Sequence, residues 1–588
     1  MRITSTLMAA LALSMICLPP RAHGRAADGK LSMLWRPAST QPVIRLRGGS
    51  FSIQAVAPST AKGWEAYLVP PHASWSLIKL KLSAAAYDSK SKRWKIAATI
   101  PATTPEELYG LQLSHAKASD TNKISVRVLT AYPKAYYVAH YTDTQNAAIV
   151  PGHTAKMKDI IKDLNLIQPE FAINTGDLVS FGNAQPQGNN EYKNFIKDLE
   201  KSRVTTFNIP GNHDIYHMRC WDRQKFQTQY ERYIGERNYS FGFGKDHYTG
   251  VEISGYTWFC PHTKLTTAQQ QWLKADFTAA VKAGRKPLVL FAHQVEYGLK
   301  MTSSNRHKLM TAHNVPLYLY GHIHYDKVET AGKLPTHYVA TDNAGAGRFR
   351  LVDIASGKII SYGHGGKAKD SMPTGKVGLT WSQPNNGKSK DLTATFSSGL
   401  SQQLKYLKAT FVMSPPGAAM SYKASGGTIH QVVHTAKGPT YVYVRGGQVK
   451  AKGKAKVRVW LAAGSDAGVA DVGVADAGVG DVAAPDLASI DGPAADKAGK
   501  PDSANQGDGP TPDSAAKPDA PQPDAAAVDV TAPDISKTDA GATSDSAGAD
   551  AGEPAPAEEG CSCAVGGSPA GGLWLLLLFF CWARRRRL

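Results

Sequence analysis

Cysteine is scarce in this chain, with six among 588 residues. Cys17 lies in the N-terminal leader, and Cys561, Cys563 and Cys581 lie in the C-terminal tail, so only Cys220 and Cys260 fall in the part that reads as folded. That leaves room for one intradomain disulfide and excludes a disulfide framework. Long apolar runs are scarce too. Residues 7–18 are shorter than a membrane span, and the run at 573–583 is preceded by many Gly and Ala, a marginal span at best. No arginine-rich helix or nucleic-acid motif is present, so nothing favours nucleic acid as a partner. Residues 461–559 lack the apolar content that would offset ordering entropy, which excludes a packed core there.

What is present sorts by position. Met1-Arg2, the apolar run and the small residues Ala22, Gly24, Ala26 and Ala27 read as a secretory signal peptide over 1–27. Cys17 follows Met15 and Ile16, which are bulkier than a lipoprotein signal tolerates. Export implies an oxidising compartment, and Cys220 and Cys260 are there either a disulfide pair or two separate buried thiols. The formal charge of +19 hides an asymmetry. Residues 461–560 carry 17 Asp, 3 Glu and 4 Lys, a net of −16, whereas 28–460 carry 56 basic and 28 acidic residues, a net of +28. A body with that field concentrates anions such as phosphorylated substrates, or faces an anionic envelope.

Short alternating segments at 51–56, 77–82 and 124–129, punctuated by Gly, Pro, Asp and Ser, predict a β-sandwich over 28–132. From 133 to 366 apolar strands at 136–141, 170–174, 204–209, 287–292 and 316–320 alternate with amphipathic helices, the pattern of a layered α/β domain. Met157, Ile160, Ile161 and Leu164 give one apolar helical face. Thr267-Ala-Gln-Gln270 has the form of a capping box, with Leu273, Phe277, Ala280 and Val281 on one side of the helix it opens. A β-rich module is expected over 375–460, then an Ala/Asp/Pro/Gly-rich linker over 461–559 with Asp about every five residues. The segment 560–588 closes the chain with Cys561-Ser-Cys563, an apolar run and Arg584 to Arg587.

Five polar clusters follow the five α/β strands: Asp143-Thr144-Gln145, Gly176-Asp177, Gly211-Asn212-His213-Asp214, His293, and Gly321-His322-Ile323-His324. Open α/β sheets place ligands at that end of their strands. One such cluster is an ordinary turn or cap. Five in the same direction, all carboxylate, amide or imidazole, suit borderline metals.

With Gly-Asp, Gly-Asn-His-Asp and Gly-His-x-His in this order over about 230 residues, the chain resembles the calcineurin-like metallophosphoesterases. The resemblance implies an αββα sandwich as the fold of 133–366, flanked by the β-sandwich modules. It implies two divalent or trivalent ions, manganese, iron or zinc, held by Asp143, Gln145, Asp177, Asn212, His293, His322 and His324, with Asp177 as the bridge. It also implies a hydroxide between the ions as nucleophile, His213 serving the transition state or leaving oxygen, and Asp214 either orienting His213 or capping a turn. Gln145 departs from the family pattern, where many members carry histidine. The sandwich before the domain resembles purple acid phosphatases, but Ser180 stands where their tyrosinate would be. Gln294, Tyr297 and Arg348 line the substrate pocket or pack loops. The C-terminal segment resembles the sorting signals of myxobacterial surface proteins, the alternative being an uncleaved membrane anchor. The expectation is an exported phosphomonoesterase or phosphodiesterase at the bacterial cell surface or outer envelope, acting on a phosphorylated small molecule or envelope component. The alternatives are a surface binding or adhesion protein with a weak site, and an extracytoplasmic nucleotidase.

Overall fold

The computed structural model describes residues 33–116, 118–146, 152–182, 187–215, 223–253, 264–295, 304–331, 336–417, 420–436 and 438–463. The segment read as a signal peptide, Cys220, Cys260, Tyr297 and the tail from 464 lie outside them. Among the described residues no helix is long and apolar enough to cross a membrane.

The α/β region is built on two six-stranded sheets. In the first, β1 (Ala135–Tyr141), β2 (Phe171–Asn174) and β3 (Thr206–Asn208) run parallel, β10 (Arg348–Ala355) pairs antiparallel with β1, and β11 (Lys358–Ser361) and Met372–Pro373 flank β10. In the second, β5 (Asp246–Gly250), β6 (Lys286–Phe291), β7 (Leu317–Tyr320) and β9 (Thr336–Ala340) run parallel, with β4 (Tyr239–Phe243) and β8 (Lys327–Ala331) as antiparallel edges. The predicted strands are β1, β2, β3, β6 and β7; the inner strands β5, β9 and β10 are not predicted, because polar residues such as Asp246, His247, Thr336, Arg348 and Arg350 interrupt their apolar pattern. The edges β4, β8 and β11 are short and partly polar, which is why periodicity alone passes over them.

Alternation along β1 assigns the two faces. Tyr136 and Val138 point between the sheets with Phe171, Ile173, Leu288, Leu290 and Tyr318. Tyr137, Ala139 and Tyr141 point outward, onto Ile160 and Leu164 of α1 (His153–Ile167). On the far side α5 (Thr267–Lys282) and α6 (Asn305–Ala312) cover the second sheet through Trp272, Leu273, Phe277 and Met310. The layers are therefore α, β, β, α.

Two local expectations are corrected. The capping box of α5 is Thr266 with Gln269, one residue earlier than read from Thr267 and Gln270. Val281 is 54% exposed, because the buried stripe centres on Trp272, Leu273, Asp276 and Phe277. Eight residues past Leu273 the helix has turned about 80° beyond that stripe.

Residues 34–129 form a four- and a five-stranded sheet around Leu34, Ile53, Ile96, Leu111 and Val126. Residues 377–463 form a four- and a three-stranded sheet, and their core, including Phe396, Phe411 and Val442, is continuous with the outer face of β1 and with α1. The second module is thus docked on the α/β layers.

Candidate metal centre

Each polar cluster begins within four residues of the end of β1, β2, β3, β6 or β7. Three strands belong to one sheet and two to the other, so the clusters converge where the two sheets open together. The turns are sharp. Asp143, Gln145, Asp177, His322 and His324 all have positive φ, between 38° and 70°. Non-glycine residues avoid that region unless their surroundings impose it, and such strain gathers at functional sites. At Gly211 and Gly321 an added Cβ would collide with the Asp177 and Asp143 carboxylates respectively. Glycine is what lets the carboxylates close on the neighbouring strand ends.

Two donor triads result, the first of Asp143, Asp177 and His324 and the second of Asp177, His293 and His322, each within the span of a single ion's ligand shell. Asp177 belongs to both. His293 Nε2 lies 3.3 Å from Asp177 Oδ2 and 3.0 Å from Asn212 Oδ1. His324 Nε2 lies 3.1 Å from Asp143 Oδ1. His293 is fixed from behind, since its Nδ1 donates to the Thr175 carbonyl at 2.9 Å, which leaves Nε2 as the free lone pair facing the carboxylates. Asp143 accepts from Thr142 Oγ1 at 2.8 Å and from the His322 amide at 2.9 Å.

The electrostatics fit a cation site. Burial works to raise the Asp143 and Asp177 carboxyls, yet the neighbouring histidines, His293 foremost, hold both below the usual carboxylate range. Burial opposes charge on His293, but Asp177 and Asp143 push it up to about 9. His322, half-buried and facing His293, is lowered to about 4 by desolvation and by that neighbour. Two buried carboxylates that recruit imidazolium as a counter-charge are what a pair of cations would replace. The oxygen and imidazole donor set suits manganese, iron or zinc.

The remaining predicted residues divide. His213 is 43% exposed at the rim; its amide donates to Asp177 Oδ1 at 2.8 Å, and its Nδ1 donates to the Ser180 carbonyl at 2.8 Å. Nε2 is left 4.0 Å from Asp177 Oδ2. Asp214 accepts from the amides of Gly211 at 2.8 Å, Leu178 at 3.1 Å and Val179 at 3.4 Å, so it ties two loops together, while Ser180 orients His213. Burial first and Asp177 second push Asp214 up to about 8, against the pull of those amides. The Gln145 backbone is anchored on the Asp177 carbonyl at 2.8 Å beside the first triad. Arg348 donates to the Ser371 carbonyl at 3.4 Å, a loop-packing contact.

Sequence reasoning missed Thr175 and the Ser180 carbonyl, because a backbone acceptor has no side-chain signature. It underrated Gln294, which is fully buried and donates to Asn212 Oδ1 at 3.1 Å while facing His322 Nδ1 at 3.2 Å. Gln294 thus braces His322, a member of the triad with Asp177 and His293, and Asn212 beside it.

The model of the family described as calcineurin-like phosphoesterase matches residues 136–326, about a third of the chain. These residues are a calcineurin-like phosphoesterase domain. The phosphoesterase sheets continue past the match through β8 to β11. No curated protein matches the chain. Among solved structures it is similar to a dimetal phosphatase from Danio rerio, with 12% identity, 37% of this chain and 95% of that one covered, and TM-score 0.28. It is also similar to TT1561 of Thermus thermophilus, with 13% identity, 38% and 97% covered, and TM-score 0.27. A third is GAP50, the anchor in the inner membrane complex of Plasmodium, with 12% identity, 41% and 91% covered, and TM-score 0.28. The phosphoesterase domain makes the chain a metal-dependent phosphoester hydrolase by class, with the donor triads as its candidate ion sites.

Proposed function

We propose that the chain is an exported hydrolase of phosphomonoesters or phosphodiesters, acting at the cell surface on a phosphorylated small molecule or envelope component. The observation that carries the catalytic part is the shared Asp177 carboxylate between two donor triads, with His213 poised above it. Asp143, Asp177, Asn212, His293, His322 and His324 would hold two ions, with Gln145 beside the first. When bound, such ions polarise a phosphoryl group and ready a water for attack near neutral pH.

The chain's own groups do the rest. The basic body draws in the anionic substrate. His213, with Nδ1–H held by Ser180, presents Nε2 to the reacting group and carries a proton to the departing oxygen when protonated there. His293 is locked by Thr175 and Gln294 braces Asn212, so the donors need little reorganisation.

Export rests on the signal-like leader, the acidic linker and the Cys-Ser-Cys to arginine tail. Phosphate release from a panel of monoesters, diesters and nucleotides, with manganese, iron and zinc added in turn, tests the activity. A chain ended before Gly560 tests the attachment: it should appear in the medium, and identical fractionation of both forms would remove the anchor from the reading. The non-enzymatic alternative, a surface binding protein, draws on Gln145, whose amide is a weaker donor than imidazole. It predicts full metallation without turnover.

A further inference from the structure

Away from the metal centre, a groove of about 480 Å³ runs between the C-terminal half of α1, the end of helix α2 (Gln187–Leu199) with the loop after it, and the C-terminal β module. Its walls carry Lys158, Lys162, Lys201, Arg203 and Lys408, with Trp381 beside them. The one acid lining it is the buried Asp198, taken by Lys201 at 2.6 Å and approached by Lys158 at 3.9 Å. Lys408 is neutralised by Glu170 at 2.7 Å. Lys162 and Arg203 are exposed and make no salt bridge among the described residues. The groove therefore holds a surplus of positive charge set on a concave surface.

The chain itself supplies a matching polyanion next to this groove. The last strand, Lys454–Ala463, ends with the Leu461 amide donating to the Lys390 carbonyl at 2.9 Å. Lys390 lies in the loop that leaves Trp381, and Asn385 of that loop lines the groove. Asn385 is pinned by donating to the Thr410 carbonyl at 2.9 Å and accepting from the Val412 amide at 2.6 Å, so the loop is a fixed wall. The chain thus leaves the module beside the groove. Three residues later comes Asp466, followed by Asp471, Asp476, Asp481, Asp486 and Asp491 at intervals of five, with no lysine or arginine among them. An extended chain advances about 16 Å in five residues, so the nearest few acids can reach the groove without strain. Tethering also places them at an effective concentration on the order of millimolar.

We infer that the groove is a polyanion-binding site whose occupant is the chain's own acidic segment around Asp466–Asp491. The body and the linker then meet through charge at a defined place, with the metal centre left open at the opposite end of α1, where His153 begins the helix.

Zero-length carbodiimide coupling of the full-length protein, followed by peptide mapping, reads this directly. Lys158, Lys162 and Lys201 should be joined to acids between 466 and 491 in low salt. The joins should be lost at about 1 M salt, where the screening length falls to about 3 Å. In a Lys158→Gln, Lys162→Gln, Arg203→Gln variant, where of these three lysines only Lys201 can still couple, its joins should be lost as well. The three replaced side chains are exposed, and unchanged metal content in the variant reports an intact phosphoesterase fold. Couplings spread evenly over lysines such as Lys90, Lys308 and Lys367 would overturn the inference. So would couplings found only between isotopically distinct copies, or groove lysines shielded from acetylation only after polyphosphate is added, which would make the occupant an outside polymer.

Discussion

The Nδ1–H of His213 is spent on the Ser180 carbonyl, so the only part of the ring that can act at the centre is Nε2, poised at the rim above Asp177. What sets this ring apart from His293 is its half-exposed place at the rim, outside both donor triads, which suits a proton carrier better than an ion ligand. His213→Ala should keep metal content near that of the wild type while turnover falls by roughly 10²–10⁴-fold, the usual contribution of a positioned acid. Metal analysis beside steady-state kinetics checks both halves, and loss of metal would mean that the ring ligates. Gln145→His should raise metal affinity at the first triad, measured by competition titration, because imidazole is the better donor for these metals. An unchanged titration would place the side chain away from the ion. At this scale the sequence was informative where a polar side chain follows a core strand, as at Asp143, Asp177, Asn212, His293, His322 and His324. It was silent where the partner is a carbonyl, as for Thr175 and Ser180, and equivocal for Asp214, whose three amide bonds exist only once two loops meet.

Among the elements, α1 links the phosphoesterase layers to the C-terminal module. Its Asp163 is buried and accepts from the Gly375 amide at 2.8 Å. Burial pushes this carboxyl up to about 6 from an ordinary 3.8. The folded state therefore holds the proton more tightly than the unfolded one. The contribution of this carboxyl to stability is therefore greatest below pH 4, falls as pH rises from about 4 to about 6, and is level above that. Asp163→Asn, whose amide oxygen still accepts from Gly375, should gain in urea midpoint over the wild type at pH 7.5 and lose that gain at pH 4. Equal differences at both values would show that Asp163 is not the titrating group. The apolar face of α1 was legible as Met157, Ile160, Ile161 and Leu164, all of which are buried. The start of α5 was legible only to within one residue, because adjacent threonines and adjacent glutamines offer the same box in two registers. Tertiary burial of Gln269, which donates to the Glu252 carbonyl at 2.8 Å, decides between them.

The whole molecule is held at a charged junction that no motif announces. Glu106 of the N-terminal module is buried against Arg127, and against Arg445 and His430 of the C-terminal module. Burial opposes its charge, but His430 and the two guanidinium groups hold the carboxyl well below its ordinary range. Tyr443 reaches back to Glu107 at 2.7 Å, and Ser74 to Tyr441 at 3.0 Å. Glu106→Ala takes the carboxylate from Arg445 and His430 and leaves Arg127 with Glu107 at 3.8 Å, and should cost roughly 3 kcal/mol in urea unfolding, at the low end for a broken buried pair because Arg127 keeps a partner and both guanidinium groups retain some water contact. A cost below about 0.5 kcal/mol, the size of an ordinary surface substitution, would mean that the modules dock by apolar contact alone. Such long-range pairings join residues more than 300 positions apart and leave no periodic trace in the chain. The most direct test of the account is metal content and phosphate release measured together on the wild type and Asp177→Ala. The shared carboxylate predicts that the variant loses both metal and turnover, while the metallated wild type hydrolyses at least one monoester, diester or nucleotide. Fully metallated wild type that releases phosphate no faster than Asp177→Ala from every substrate would contradict it.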